Sequence, residues 1–179
     1  MYKLYSSIFM IILTFIIIFF ISKKYDLDRN QKLIFWLFVL FWSGITVVRA
    51  YRKLYAISPM EEGGLGFSVI LAAQITSAYG LISCFIRLPI FILSDIFNRK
   101  KIFIQIALFV LTLASLIVVL KPSYNTLYFS SIAMGICASM LAVFNVLFSE
   151  TFSKEKAAIS ASILSIAPLL AEFIAAPIQ

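Results

Sequence analysis

Long apolar runs separated by short polar stretches set the plan of this chain. The first run extends from Leu4 to Ile21 without a charged residue. Its length approaches the ~20 residues with which a helix crosses a ~30 Å hydrocarbon core. A polar connector, Lys23 to Lys32, follows, and a second run begins at Leu33 and persists to Val48. Arg49, Arg52 and Lys53 then arrive together. Their i, i+3, i+4 spacing predicts one helical face, with Tyr51 and Tyr55 nearby. Pro59 and the Glu61-Glu62-Gly63-Gly64 stretch end that helix and predict a loop. The third run, Phe67 to Ser94, contains Arg87 and Pro89 and would cover ~40 Å as a tilted helix. A charged patch, Ser94 to Lys101, separates it from a fourth run, Ile102 to Leu120. Lys121-Pro122-Ser123 predicts a tight turn. The fifth run spans about Leu127 to Phe148, where Gly135, Ala138 and Ser139 offer small surfaces for close packing. After a connector from Glu150 to Lys156, a sixth run goes from Ala157 to Pro177 and contains Pro168 and Pro177, expected kinks. The pattern predicts an all-α, polytopic transmembrane helix bundle of about six helices.

The first run could be a signal peptide or a retained span. Its flank reads Ile21-Ser22-Lys23-Lys24, without the small residues of a cleavage site, which favours an uncleaved helix.

Composition points the same way. Apolar residues are 63% of the chain and charged residues 13%, against ~45–50% and ~25% in soluble domains. The net charge of +7 raises the question of nucleic acid, but the bases lie in the connectors between apolar runs. That pattern reads as membrane orientation, so the expected partner is a lipid bilayer and not a nucleic acid. Lys23, Lys24, Arg29, Lys32, Arg99, Lys100, Lys101, Lys154 and Lys156 fall on one side, and Lys3, Arg49, Arg52, Lys53 and Lys121 on the other. Nine against five favours the first side as cytoplasmic, in the inner (plasma) membrane, with the amino terminus outside.

Chemistry that would mark an enzyme is missing from the sequence. The chain has no His, and Cys84 and Cys137 lie apart inside apolar runs, so no metal site, haem or other cofactor is expected. Gly63-Gly64-x-Gly66 follows no predicted strand and reads as a loop and not a phosphate cradle.

The charged patch carries a family likeness. Phe91-Ile92-Leu93-Ser94-Asp95-Ile96-Phe97-Asn98-Arg99-Lys100 resembles the major facilitator superfamily stretch Gly-x-x-x-Asp-Arg-x-Gly-Arg-Arg between that family's second and third helices. Asp95, Arg99 and Lys100 match; Phe91, Ile96 and Asn98 depart. Leu65-Gly66-Phe67-Ser68 and Ala78-Tyr79-Gly80 are similar to its second helix, and Ser149-Glu150-Thr151-Phe152 with Lys154 to Lys156 to the loop after its fourth. Ala176-Pro177 is weakly similar to a Gly-Pro pair in the fifth helix of antiporter members, while Ser130 and Ser131 stand where the family has an arginine. The resemblance implies that residues 1–32 form an extra helix and basic connector. Residues 33–179 would then be five helices of the amino-terminal half, in a truncated form or a part of a transporter whose carboxy-terminal half is missing. It implies secondary transport of a small-molecule substrate by alternating access. The rival class is a non-transporting accessory subunit or scaffold.

Candidate residues follow from these lines. The family implies a cytoplasmic gate made by Asp95 and Arg99, an i, i+4 pair if the helix continues or a turn-closing pair if it does not, with Lys100 and with Glu150 joining through Arg99 or Lys100; orientation charge alone is the simpler alternative. Arg49 and Arg52 would bind an organic anion, as arginines in the first helix do in anion-carrying members, or snorkel to the headgroups beside the tyrosines. Gln74 and Thr76 could face substrate or bond to a neighbouring helix. Arg87 and Glu172 are charges inside runs, each expected to face the bundle or water. For Glu172, proton coupling and a structural hydrogen bond are both open.

Overall fold

The computed structural model describes residues 2–175. Among them every regular element is helical. The chain folds as α1 (Tyr2–Lys24), α2 (Arg29–Ile57), α3 (Val69–Ile96), α4 (Lys100–Leu120), α5 (Tyr124–Ser139), α6 (Leu141–Ser149) and α7 (Ala157–Ala175), with short 3₁₀ turns at Met60–Glu62 and Lys154–Lys156. Among the described residues, five stretches are long and apolar enough to cross a membrane: Arg29–Ile57, Val69–Ile96, Lys100–Leu120, Tyr124–Ser149 and Lys154–Ala175. The Leu4–Ile21 run lies wholly within helix α1. Pro177 and the Ala176-Pro177 pair lie outside the described residues.

Large apolar side chains point outward along these helices, including Phe9, Phe19, Phe20, Phe85, Phe109 and Phe129. A protein in water rarely exposes such contiguous apolar surface. Here hydrocarbon is the solvent, and the outward phenylalanines are in their preferred medium.

The helices group into two compact units, Met1–Ala50 with Asn145–Gln179, and Tyr51–Phe144. In the first, α1 packs on α7. Phe35, Phe38, Phe148, Ile163, Leu164 and Leu170 form its interior, with the Phe35 and Phe148 rings 6.4 Å apart. Helix α2 begins with a reciprocal cap. Asp28 Oδ1 accepts from the Gln31 N–H at 2.7 Å, and Gln31 Oε1 accepts from the Asp28 N–H at 2.9 Å. This satisfies two donors that a helix start otherwise leaves open. Gln31 Nε2 also donates to the Thr151 carbonyl, tying the connector to the segment after α6.

In the second unit, α3 and α5 make the most extensive contact, and α4 lies against α5. The close approach needs Gly135: a Cβ there would sit 2.8 Å from the Tyr79 carbonyl oxygen and 3.0 Å from Ile82 Cβ. Ala138 and Ser139 are fully buried beside it, as small residues at a membrane helix interface should be.

The fifth apolar run, expected from about Leu127 to Phe148, spans Tyr124–Ser149 and carries a break between α5 and α6. It starts at Tyr124 and not Leu127, because Ser123 and Thr126 cap it reciprocally. It is then interrupted at Met140. The Ser139 hydroxyl lies 2.9 Å from the Gly135 carbonyl and 3.2 Å from the Ser83 carbonyl on α3, and the Met140 N–H turns back to Cys137 at 3.0 Å. A hydroxyl competing for the helix's own carbonyl loosens the ladder at that point.

Replacing Gly135 with Val should cost about 1–3 kcal/mol through overpacking. Thermal unfolding of the purified protein in detergent checks it. Gly80→Ala, where the added carbon meets nothing within 4 Å, should be neutral or stabilising in the same assay.

Candidate functional site

Arg49, Arg52 and Lys53 on α2, Arg87 on α3 and Glu172 on α7 are charges carried within or at the ends of the apolar spans. Arg52, near the end of α2, is the most enclosed, with 8% of its surface exposed. Its Nη1 donates to Ser131 Oγ at 2.6 Å and its Nη2 to Ser130 Oγ at 2.9 Å. Both serines are buried on α5. Two neighbouring hydroxyls suit the planar fork of a guanidinium, which an ammonium could not span in the same way. No carboxylate pairs with Arg52 among the described residues. Its charge is therefore solvated by two dipoles and left unneutralised.

Arg49, one turn earlier, is placed differently. Its Nη2 lies 3.5 Å from Glu172 Oε1 on α7, and both side chains are about half exposed. At that distance the contact is an ion pair more than a hydrogen bond. Lys53 is exposed. Arg49, Arg52 and Lys53 do share one side of the unbroken helix α2, within about 100° of arc, but only Arg52, at one edge of that arc, is buried.

On α3, Gln74 Oε1 accepts from the Tyr124 hydroxyl of α5 at 3.1 Å. Thr76 donates to the carbonyl of Ala72 in its own helix. Arg87 is exposed and donates to Ser83 Oγ at 3.4 Å. In α2 the buried indole N–H of Trp42 has no partner among the described residues.

The charged patch is a helix-to-helix corner. Helix α3 stops at Ile96, and Asn98 takes a left-handed conformation at φ 49°, accepted readily by Asn. The N–H groups of Phe97, Asn98 and Arg99 return to Leu93, Asp95 and Ser94 carbonyls. The expected Asp95–Arg99 helical pair is replaced, because the helix ends between them and Arg99 becomes the N-cap of α4. Asp95 Oδ1 instead meets Lys100 Nζ at 3.0 Å, and Lys100 is buried, with 6% exposure. A lysine in the first turn of a helix opposes the positive end of the helix dipole, and Asp95 offsets that penalty. Glu150 is exposed just past α6, its N–H donating to the Val146 carbonyl.

Sequence reasoning singled out Arg49, Arg52 and Glu172 but not their partners. Two opposite charges alone in apolar helices should seek each other, a signal for Arg49 with Glu172 that was present in the sequence. Ser130 and Ser131 were visible only as the residues standing where an arginine was expected. Their pairing with Arg52, nearly eighty residues away, needed the fold.

Among known families, the model of the Major Facilitator Superfamily matches residues 44–179, from within α2 to the last residue of the sequence. No curated protein and no solved structure matches the chain. The match covers most of the sequence, including α3 to α7 and the Asp95–Lys100 corner. With its helical bundle and its membrane-length apolar spans, the chain belongs to the Major Facilitator Superfamily of membrane transporters.

Proposed function

We propose that this protein is a secondary active transporter that moves a small organic anion by alternating access, and that Arg52 recognises the anion. The observation that carries the reading is the burial of Arg52 without a carboxylate partner. Removing a charge from water costs at least ~2.5–3.5 kcal/mol in a membrane, so an uncompensated guanidinium is retained only where it works. Ser130 and Ser131 orient it, and three of its five N–H donors remain for an acidic solute.

Arg49 takes a different part. Its charge is already answered by Glu172, so it attracts an anion only when that pair opens. Proton binding to Glu172 would open it, which makes the pair a candidate for coupling solute movement to protons. Measured from Leu33, Trp42 lies ~14 Å and Arg52 ~28 Å along α2, against a core of ~30 Å. Arg52 would meet the solute at the outer side, before it reaches the midplane, where this class of transporter binds its cargo. Gln74, held by Tyr124, is a further wall residue in this reading.

The corner of Asp95, Arg99 and Lys100, with Glu150, would form the cytoplasmic gate. The family match from residue 44 supports counting α2 to α7 as five family helices across 33–179, with 1–32 as an added helix and connector. The excess of connector bases supports the plasma membrane with the amino terminus outside.

Uptake by the full-length protein in proteoliposomes, over a panel of organic anions, sugars and amino acids, tests the assignment. Anion uptake should fall at least tenfold in Arg52→Gln, about the loss of one charge-assisted hydrogen bond, and partly recover in Arg52→Lys. Uptake of neutral solutes only, or unchanged anion uptake in folded Arg52→Gln, would refute it. Replacing Ser130 and Ser131 together with Ala should lower unfolding stability by about 1–3 kcal/mol, since it strands a buried donor. For the coupling pair, Glu172→Gln is expected to make uptake insensitive to a protonophore; a protonophore response equal to that of the parent protein would remove Glu172 from that role.

A further inference from the structure

Helices α1 and α2 line an open cleft of about 850 Å³ beside their connector, within the ~300–1,000 Å³ range of small-molecule sites. Neither Arg52 nor the Arg49–Glu172 pair is among the residues that line it. Its lining divides sharply. Along the helices it is aromatic, with Phe15, Phe19, Phe20 and Trp36; at the connector it presents Lys23, Asp26 and Lys32. Phe15 and Trp36, ring centroids 5.0 Å apart, join the two helices at the end farther from the connector.

The charged end is built to a fixed shape. Asp26 adopts φ 46°, the Leu27 N–H returns to the Ser22 carbonyl at 3.0 Å, and Leu27 itself is buried. This tight turn holds Lys23 and Lys32 at the same mouth. Asp28, the connector's other acid, already accepts the Gln31 N–H in the helix cap, and Lys24 lies over the Tyr25 ring at 5.4 Å. Of the connector's charges, Lys23, Asp26 and Lys32 line the cleft, a net of one positive. A phosphodiester carries one negative charge. From Lys23 to Phe15 the wall extends ~12 Å along α1, room for a headgroup and the first part of an acyl chain. Basic pockets between spans at a membrane surface are suited to anionic lipid headgroups.

We propose that this cleft binds an anionic phospholipid of the surrounding membrane, its phosphate between Lys23 and Lys32 and one acyl chain along Phe15, Phe19 and Trp36. The site requires only that α1 and α2 stand in a bilayer, so it is independent of the transported solute. It also gives α1, which precedes the family match, a task of its own: it supplies one wall and one lysine of a lipid site.

Phospholipids brominated on the acyl chain quench a tryptophan that they touch. The chain has two tryptophans, so full-length Trp42→Phe protein in nanodiscs reports Trp36 alone. In a phosphatidylcholine background, brominated phosphatidylglycerol should reach half-quenching at a roughly 5-fold lower mole fraction than brominated phosphatidylcholine. Lys23→Gln with Lys32→Gln should abolish that preference, whereas Lys154→Gln with Lys156→Gln should keep it. Equal quenching by the two lipids overturns the proposal. So does an equal loss of preference in the Lys154 and Lys156 variant, which would mean general enrichment of anionic lipid around a basic protein. Recovery of fluorescence on adding soluble glycerol phosphate would assign the cleft to a free anion and overturn it as well.

Discussion

Hydrocarbon offers a polar group no water, and most of what this chain does with its hydroxyls and guanidinia follows from that constraint. Thr14, Ser43, Ser94 and Ser160 are all buried, and each returns its hydroxyl to a carbonyl three or four residues earlier in its own helix. Such bonds let polar residues reside in a span at little cost. They also leave few hydroxyls to act between helices. Ser130 and Ser131 are the exception that matters, because they turn across to Arg52. Arg52 can be buried only because α5 brings two neighbouring oxygens to it.

That arrangement depends in turn on how closely the helices of its unit pack. Gly135 lies one turn beyond Ser131 on α5 and permits the approach of α3. Ser139, a further turn on, fastens α5 to the Ser83 carbonyl. One helix thus presents its hydroxyls to α2 and its smallest residues to α3. The charges of α2 are sorted by the same economy of partners: Arg49 has a carboxylate, Arg52 has hydroxyls, and Lys53 faces outward.

The elements of the fold were legible because hydrocarbon imposes length. Apolar runs, Pro-Ser and Gly-Gly breaks, and charged connectors marked the helices within a few residues. The errors share a cause. The interruption at Met140 and the early start of α5 come from single hydroxyls bonding locally, which periodicity does not register. Whether Asp95 could pair with Arg99 at i, i+4 depended on where the helix ends; α3 stops one residue after Asp95, and Lys100 is the base that reaches it. For the candidate site, residue type revealed which charges needed explanation. Which partner each finds is a property of helix packing, and sequence spacing carries no trace of it.

The glycine-rich loop after α2 has a practical consequence. It looks like a flexible linker, yet the N–H groups of Leu65, Gly66 and Phe67 return to the Tyr55, Ser58 and Ala56 carbonyls, and a Cβ on Gly64 would collide with the Ser58 backbone. The loop is therefore the C-terminal cap of the helix that carries Arg52. An epitope or protease site inserted there to map topology would strip the closing hydrogen bonds from α2 a turn beyond Arg52, and so disturb the molecule it was meant to report on. The Lys121-Pro122-Ser123 turn is a poor substitute, since Ser123 caps α5. Lys154 to Lys156, exposed and held by a single 3₁₀ turn, is the better site for a tag.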